Sequence, residues 1–305
     1  IYQVVTDRIL ASLKEGLIRW EKPWQAPTYA GGNFPRNFAT GRPYQGVNVM
    51  LLWSTPYSAP FWLTYKQAKE LGGAVRKGEK GTPIVFYKQF TGKKDGTHQT
   101  SDQPAEQPDD QDAGKARTAF MLISYTVFNV EQCEGLNLPE RLPSVELDLF
   151  EQDAACEALV NSWEGRPTLQ LLSQTERRAF YRPPTDTVHM RARFRFVEPA
   201  LYYSTLFHEL VHSTGHEIRL NRTFGSSFGD DLYSREELVA ETGAAFLCAI
   251  AGISNEHTDR NTTAYLQNWI RKLEGDNRLI LQASAAAQKA VDLITGQTKE
   301  EEQPA

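Results

Sequence analysis

Apolar positions along the chain change their period several times, and each change marks an element. Val4, Val5, Ile9, Leu10 and Leu13 recur at helical spacing over residues 2–16, where Gly16 ends the run. A second helix is expected at 47–53, and FWLTYKQAKELGG (61–73) leads into a third, stopped by Gly72 and Gly73. VRKGEKGTPIVFYKQF reads as a β-hairpin whose Gly-containing turn precedes the strand Ile84–Tyr87. AFMLISYTVFNVEQC (119–133), rich in β-branched and aromatic residues, is a strand returning to the same N-terminal sheet. Residues 150–162 suit a helix and 163–165 a turn. In AFYRPPTDTVHMRARFRF (179–196), the alternation around Thr187, Val188, His189 and Met190 reads as an edge strand along which an extended substrate could lie. Glu198 and Pro199 open a helix running to about Gly215, and REELVAETGAAFLCAIAG (235–252) makes another. Two amphipathic helices without evident chemistry fall within 258–294.

Two stretches interrupt this pattern. Residues 91–118 are almost devoid of large apolar side chains and read as a disordered acidic insertion between strands. Residues 136–149, with Pro139 and Pro143 among acidic residues, read as a linker. The chain is therefore expected to be α+β in two parts. A small α+β domain spans 1–135, a mainly helical domain with a small sheet spans 150–297, and 298–305 is a solvated tail. At 305 residues each part can bury a core.

Charge divides the same way. The net charge of −5 hides a first part, residues 1–90, with 12 Lys and Arg against 5 Asp and Glu, and a remainder, 119–305, with 17 against 27. Only the front of the molecule is suited to a polyanion. Within it, Arg19, Trp20, Trp24, Arg36, Arg42 and Tyr44 interleave cations with rings, as a single-stranded nucleic acid requires, since bases stack on rings while cations follow phosphates. Arg76, Lys77 and Lys80 crowd one turn and could grip a phosphate backbone. The competing reading is that the rings fill a core and the cations tip a solvated hairpin.

The densest chemistry lies in STLFHELVHSTGH (204–216). His208 and His212, four apart on a helix, share one face, so both imidazoles can reach one metal ion. Glu209, turned aside from direct ligation, can still take a proton from a water held at that ion. His216 continues the four-residue ladder, but Gly215 turns it off the helix axis. Glu237 and Glu241 share a face of the next helix, which is otherwise apolar and should be buried. Two such carboxylates are costly unless compensated. A divalent cation with two imidazoles would compensate them, one Glu ligating and the other accepting an imidazole N–H; pairing with Arg219, Arg222 or Arg235 is the alternative. Glu236 is expected to face solvent or to act as a charge at the helix N-terminus, Tyr233 could hydrogen-bond an oxyanion or simply pack, and His189 could contact substrate or be structural.

Other classes are narrowed. No apolar run approaches the roughly 20 residues that cross a bilayer, and the N-terminus reads as an amphipathic helix, not a signal peptide. Cys133, Cys156 and Cys248 are odd in number and far apart, which points to small buried hydrophobes in a reducing cytosol rather than a disulfide framework.

The chain resembles the ArdC family of antirestriction proteins. The likeness rests on PRNFATGRPYQGVN (35–48), FWLTYKQAKELGG, VRKGEKGTPIVFY and YTVFNVEQCEGL (125–136) in the front half, and on FHELVHSTGH and REELVAE in the back half. It implies an N-terminal single-stranded-DNA-binding domain, also similar to domains attached to plasmid primases, followed by a zincin-like metallopeptidase domain. It further implies protection of plasmid DNA from restriction as it enters a bacterial cytoplasm during conjugation. A second similarity, to zincins with ExxxD on the helix after HExxH, favours Glu237 as the metal ligand and Glu241 beyond it, with Glu in place of Asp. The expected cofactor is Zn2+, with Mn2+ or Co2+ fitting the same ligands. Expected partners are single-stranded DNA, with duplex DNA also conceivable, and an unidentified protein substrate. The alternatives are a non-catalytic DNA-coating protein with a structural metal site, a metalloprotease acting on a DNA-associated regulator, and, more weakly, a metal-dependent nuclease.

Overall fold

The computed structural model describes residues 1–14, 34–92, 98–104, 118–139, 149–172, 178–196, 198–223, 231–253, 270 and 272–297. The front half is built on a five-stranded sheet of order β1-β2-β6-β4-β5. Its strands are β1 (Arg36–Asn37), β2 (Phe61–Leu63), β4 (Thr82–Gly92), β5 (His98–Pro104) and β6 (Thr118–Asn129). β6 returns to this sheet, antiparallel to β4 from Thr82↔Val127 to Thr91↔Thr118 and to β2 at Trp62↔Asn129. Residues directly opposite in an antiparallel pair share a face. Ile84 with Tyr125 and Phe86 with Ile123 therefore form one face, and Val85 with Ser124 and Tyr87 with Leu122 the other.

The second face meets α1 (Tyr2–Lys14), and α2 (Val47–Trp53) lies along the β4 edge. The Tyr2 and Tyr87 hydroxyls meet at 3.2 Å. β5 pairs with β4 only from Lys88 onward, and Asn48 of α2 closes the edge at Val85 instead. Its carboxamide donates to the Val85 carbonyl (2.9 Å) and accepts from the Val85 N–H (2.8 Å). α3 (Tyr65–Glu70) starts with a reciprocal cap between Thr64 and Gln67. It ends at Gly72, whose φ of 80° an L side chain resists.

Two sequence expectations are corrected here. The stretch VRKGEKGTPIVFYKQF (75–90) does not fold as a hairpin on itself. β3 (Ala74–Val75) pairs with β7 (Cys133–Glu134) in a separate ribbon, whereas β4 pairs with β6. The turn between them is pinned to the ribbon, since Gln132 Nε2 donates to the Lys80 carbonyl at 2.9 Å and the Arg76 N–H to the Gln132 carbonyl at 3.0 Å. Within the stretch expected to be a disordered insertion, His98–Pro104 forms β5. A backbone ladder needs no large apolar residue, which is the signal the composition lacked.

The back half stacks α4 (Leu149–Ser162), α5 (Pro199–Thr214), α6 (Asp231–Ala251) and α7 (Leu279–Thr295) beside a three-stranded sheet. In that sheet β10 (Thr187–Met190) lies between β8 (Thr168–Leu171) and β9 (Phe180–Arg182). β10 is thus central and fully buried, not the expected edge; β8, a short Thr-Leu-Gln-Leu alternation whose four residues are exposed, pairs with it in parallel. His189 on β10 is buried and stacked on Phe180, ring centroids 4.5 Å apart. Cys156 and Cys248 are buried free thiols, and Cys133 is half-buried and free.

The two halves share one apolar core. A single cluster runs from Ile9, Met50 and Ile84 in the front to Phe207, Phe246 and Ile280 in the back. Phe34, Trp53 and Phe246 pack edge to face across the junction, centroids 5.7–5.9 Å apart. Thr6 Oγ1 donates to the Asn277 carbonyl at 2.8 Å, and the Gly46 N–H to Gln288 Oε1 at 3.1 Å. No described helix is long and apolar enough to cross a membrane.

Candidate metal centre and nucleic-acid surface

α5 and α6 pack closely because Gly243 faces Val211, the residue just before His212. A Cβ at position 243 would lie 2.7 Å from one Val211 methyl and 2.9 Å from the other. With no side chain there, α6 can bring its carboxylates to the α5 imidazoles. His208 Nε2 and His212 Nε2 lie 3.1 Å apart. Glu237 reaches both, with Oε2 3.6 Å from His208 Nε2 and Oε1 3.5 Å from His212 Nε2. Ligand atoms of these three residues all fall within 4.8 Å of one another.

The other imidazole nitrogens face carboxylates too. His212 Nδ1 is 3.3 Å from Glu236 Oε1, and His208 Nδ1 is 3.5 Å from Glu241 Oε1. If each Nδ1 carries its proton toward its acid, both Nε2 lone pairs point at each other and at Glu237, three acceptors with no donor among them. The donor set therefore fits a cation. Without an ion, a proton on His212 takes the cation's place. Burial opposes a charge on His212, but hydrogen bonds with Glu236 and Glu237 outweigh it and raise its pKa, while burial and the His212 charge lower that of His208. Burial likewise opposes ionisation of Glu237, yet the two imidazoles hold its carboxyl well below the usual range. Burial and the Glu237 charge raise the Glu241 carboxyl. Glu209 is buried in the same cluster, and its charge acts on both imidazoles.

Glu236 is a correction. Far from facing solvent, it is buried and held by Arg222, whose Nη2 and Nε reach its two oxygens at 2.7 and 3.0 Å. Arg222 also donates to the Val211 carbonyl (2.8 Å) and the Thr214 hydroxyl (2.7 Å), tying the segment after α5 back onto that helix. Three Glu residues within six positions of a buried helix were the available signal, since consecutive side chains point about 100° apart and can serve different groups. Arg219 engages Asp186 instead, at 2.7 Å. Tyr233 hydrogen-bonds Glu237. His216 lies past the helix end, where its Nδ1 accepts from the Ile218 N–H at 3.3 Å.

The expected nucleic-acid residues are dispersed. Arg19, Trp20 and Trp24 lie outside the described residues. Arg36 is half-buried, and its Nε donates to the Phe34 carbonyl at 3.5 Å. Tyr44 is buried at 4% exposure. Arg42 is exposed and shares with Tyr44 the wall of a cleft on the open sheet face. Arg76 is tied to Glu79 (2.7 Å) and to the Glu131 carbonyl (2.7 Å), whereas Lys77 and Lys80 are exposed without an ion pair among the described residues.

Comparisons with known proteins follow this division. Residues 1–128 match the family described as the N-terminal domain of anti-restriction factor ArdC, and residues 166–286 match a zincin-like metallopeptidase family. An uncharacterised protein of Sinorhizobium fredii, y4eC, is 32% identical over 97% of this chain and 92% of its own length. DNA primase TraC of Escherichia coli is 34% identical over 96% of this chain, which spans only 27% of that primase. The crystal structure of antirestriction ArdC protein from the R388 plasmid, in its Mn(II)-bound form, matches with 36% identity and a TM-score of 0.68 over 97% of both chains. Its metal-free form gives 37% and 0.67. By both halves and nearly end to end, this chain belongs to the ArdC antirestriction family, an ArdC N-terminal domain followed by a zincin-like metallopeptidase domain.

Proposed function

We propose that this protein binds single-stranded DNA through its front half, protects plasmid DNA entering a bacterial cytoplasm during conjugation, and carries a metallopeptidase-type centre at His208, Glu209, His212 and Glu237. The observation that carries the catalytic part is the convergence of two Nε2 atoms and one carboxylate, each imidazole backed by its own acid. His208, His212 and Glu237 would hold Zn2+, and the same donors accept Mn2+ or Co2+. A divalent ion there supplies charge that polarises a carbonyl and acidifies water. Glu209 takes the proton of the attacking water and passes it to the leaving amine. Glu236 and Glu241 fix the imidazole tautomers by accepting their Nδ1 protons. Three donors leave room for a substrate, whereas a purely structural site closes all four positions. The DNA-binding part is supported by the basic front third and by the relatives, a plasmid antirestriction protein and a DNA primase.

Glu209→Gln tests both parts together. It should retain stoichiometric metal, measured by inorganic mass spectrometry, and unchanged single-strand affinity, while peptide-bond cleavage in a cell extract falls at least about 100-fold. Cleavage at the wild-type rate would sink the peptidase reading. If the variant still shields incoming DNA from a restriction nuclease as well as wild type does, protection is by coating alone.

A further inference from the structure

The face of the front sheet opposite Tyr87 and α1 is not flat. Ile84, Phe86, Tyr125 and Val127 floor an open cleft, with Arg42 and Thr40 at its exposed rim. Phe86 and Tyr125 meet edge to face, centroids 5.6 Å apart at 72°. The wall is preformed. Asn37 Oδ1 accepts the N–H groups of Ala39 and Thr40, both at 3.0 Å, and its Nδ2 donates to Gln67 Oε1 at 3.2 Å and to the Tyr44 hydroxyl at 3.4 Å. None of the ten residues lining the cleft is acidic. An aromatic and aliphatic floor beneath a polar, cationic rim suits a flat, weakly polar ring joined to an anion.

We infer that this cleft takes one unstacked nucleobase of a single DNA strand, laid against the half-buried Tyr125 ring over the buried Phe86, with the adjoining phosphate on Arg42. The inference rests on the single-strand reading above and goes further by assigning a base, not only the backbone, to a particular place. In a duplex the bases are stacked and paired inside, so the cleft selects for an unpaired strand. The preformed wall limits the ordering that binding requires. Sequence preference is weak here, because every base has a face to stack.

The test uses the full-length protein and two fluorescent probes of equal length, an oligothymidylate and an abasic deoxyribose-phosphate strand. Wild type should prefer the oligothymidylate about tenfold, the worth of one stacked base. Tyr125→Ala should bring that ratio close to one. Tyr125→Leu, which keeps apolar volume without the ring, should do the same and guards against simple misfolding, checked by circular dichroism. Arg42→Ala should weaken both probes alike. Binding of both probes with equal affinity by wild type, or a preference untouched in both Tyr125 variants, overturns the base cleft while leaving DNA binding in place. Binding of neither probe overturns the DNA-binding reading itself and the cleft with it.

Discussion

His208 and His212 meet because they are one helical turn apart, and Glu237 and Glu241 share a face for the same reason. Arg42, Ile84 and Tyr125 meet only because β4 and β6 pair in one register and residues 36–44 fold over them. The centre on α5 and α6 is thus specified twice, locally by spacing and again by packing at Gly243. The cleft on the sheet is specified only by pairing between distant segments. The two also differ in what surrounds them. Around the imidazoles, Glu209 and Glu236 are buried and Arg222 nearly so, so each charge depends on its partner. Around the cleft, Thr40, Arg42 and Pro43 stand in solvent. A substitution should therefore be felt as lost stability in the first region and as lost affinity in the second.

The sharpest way to break that contrast is Arg222→Met. Its side chain is 14% exposed and that of Glu236 7%. Removing the cation leaves the buried carboxylate with His212 as its one charged contact among the described residues, and the expected cost is about 3 kcal/mol, read by chemical denaturation. A loss below about 1 kcal/mol would mean the pair behaves like a solvated surface bridge. Metal affinity should fall as well, by about 10–100-fold, because Glu236 would no longer be held where it orients His212.

Gly243→Ala probes the helix approach by itself. Val211 is β-branched and stiff, so the added methyl must move α6 rather than a flexible side chain. Overpacking of this kind costs about 1–3 kcal/mol, and the separation of Glu237 from the imidazoles should grow with it. Unchanged thermal stability together with unchanged Mn2+ binding by calorimetry would show that the glycine contributes nothing to the centre.

What could be read beforehand follows the same division. Helical period gives α5 and α6, their apolar stripe, and the faces that carry His208, His212, Glu237 and Glu241. It misplaces Glu236, because the partner that makes its burial tolerable arrives from a segment after α5, at a distance no period encodes. The same limit moves Thr187–Met190 from the edge to the centre of its sheet, since its parallel partner β8 is only four residues long and pairs across about 19 positions. It also separates β3 from β4, whose true partners β7 and β6 lie about 30–60 residues downstream. Composition shows that the front half is basic and aromatic; which of those side chains face solvent is settled by strand pairing. Tyr44 and Phe34 are packing residues, and Tyr125, within a strand recognised for its apolar character, lines the cleft.

The smallest expected effect separates composition from exposure most directly. Arg76, Lys77 and Lys80 look equivalent in the sequence, yet Arg76 is committed to Glu79 and to the Glu131 and Cys133 carbonyls, while Lys77 is committed to no acid among the described residues. A cation already neutralised by a carboxylate displaces few counterions from DNA. Lys77→Ala should therefore reduce the slope of log affinity against log salt by about one, uniformly across sequences. Arg76→Ala should change that slope by clearly less, and both should leave folding stability within about 0.5 kcal/mol of wild type. Fluorescence titrations of the oligothymidylate at several salt concentrations give both slopes. A larger change for Arg76 than for Lys77 would mean that the turn opens on binding and releases Arg76 from Glu79 to the phosphates, and the front surface would then be assembled by its ligand, unlike the prebuilt centre on α5 and α6.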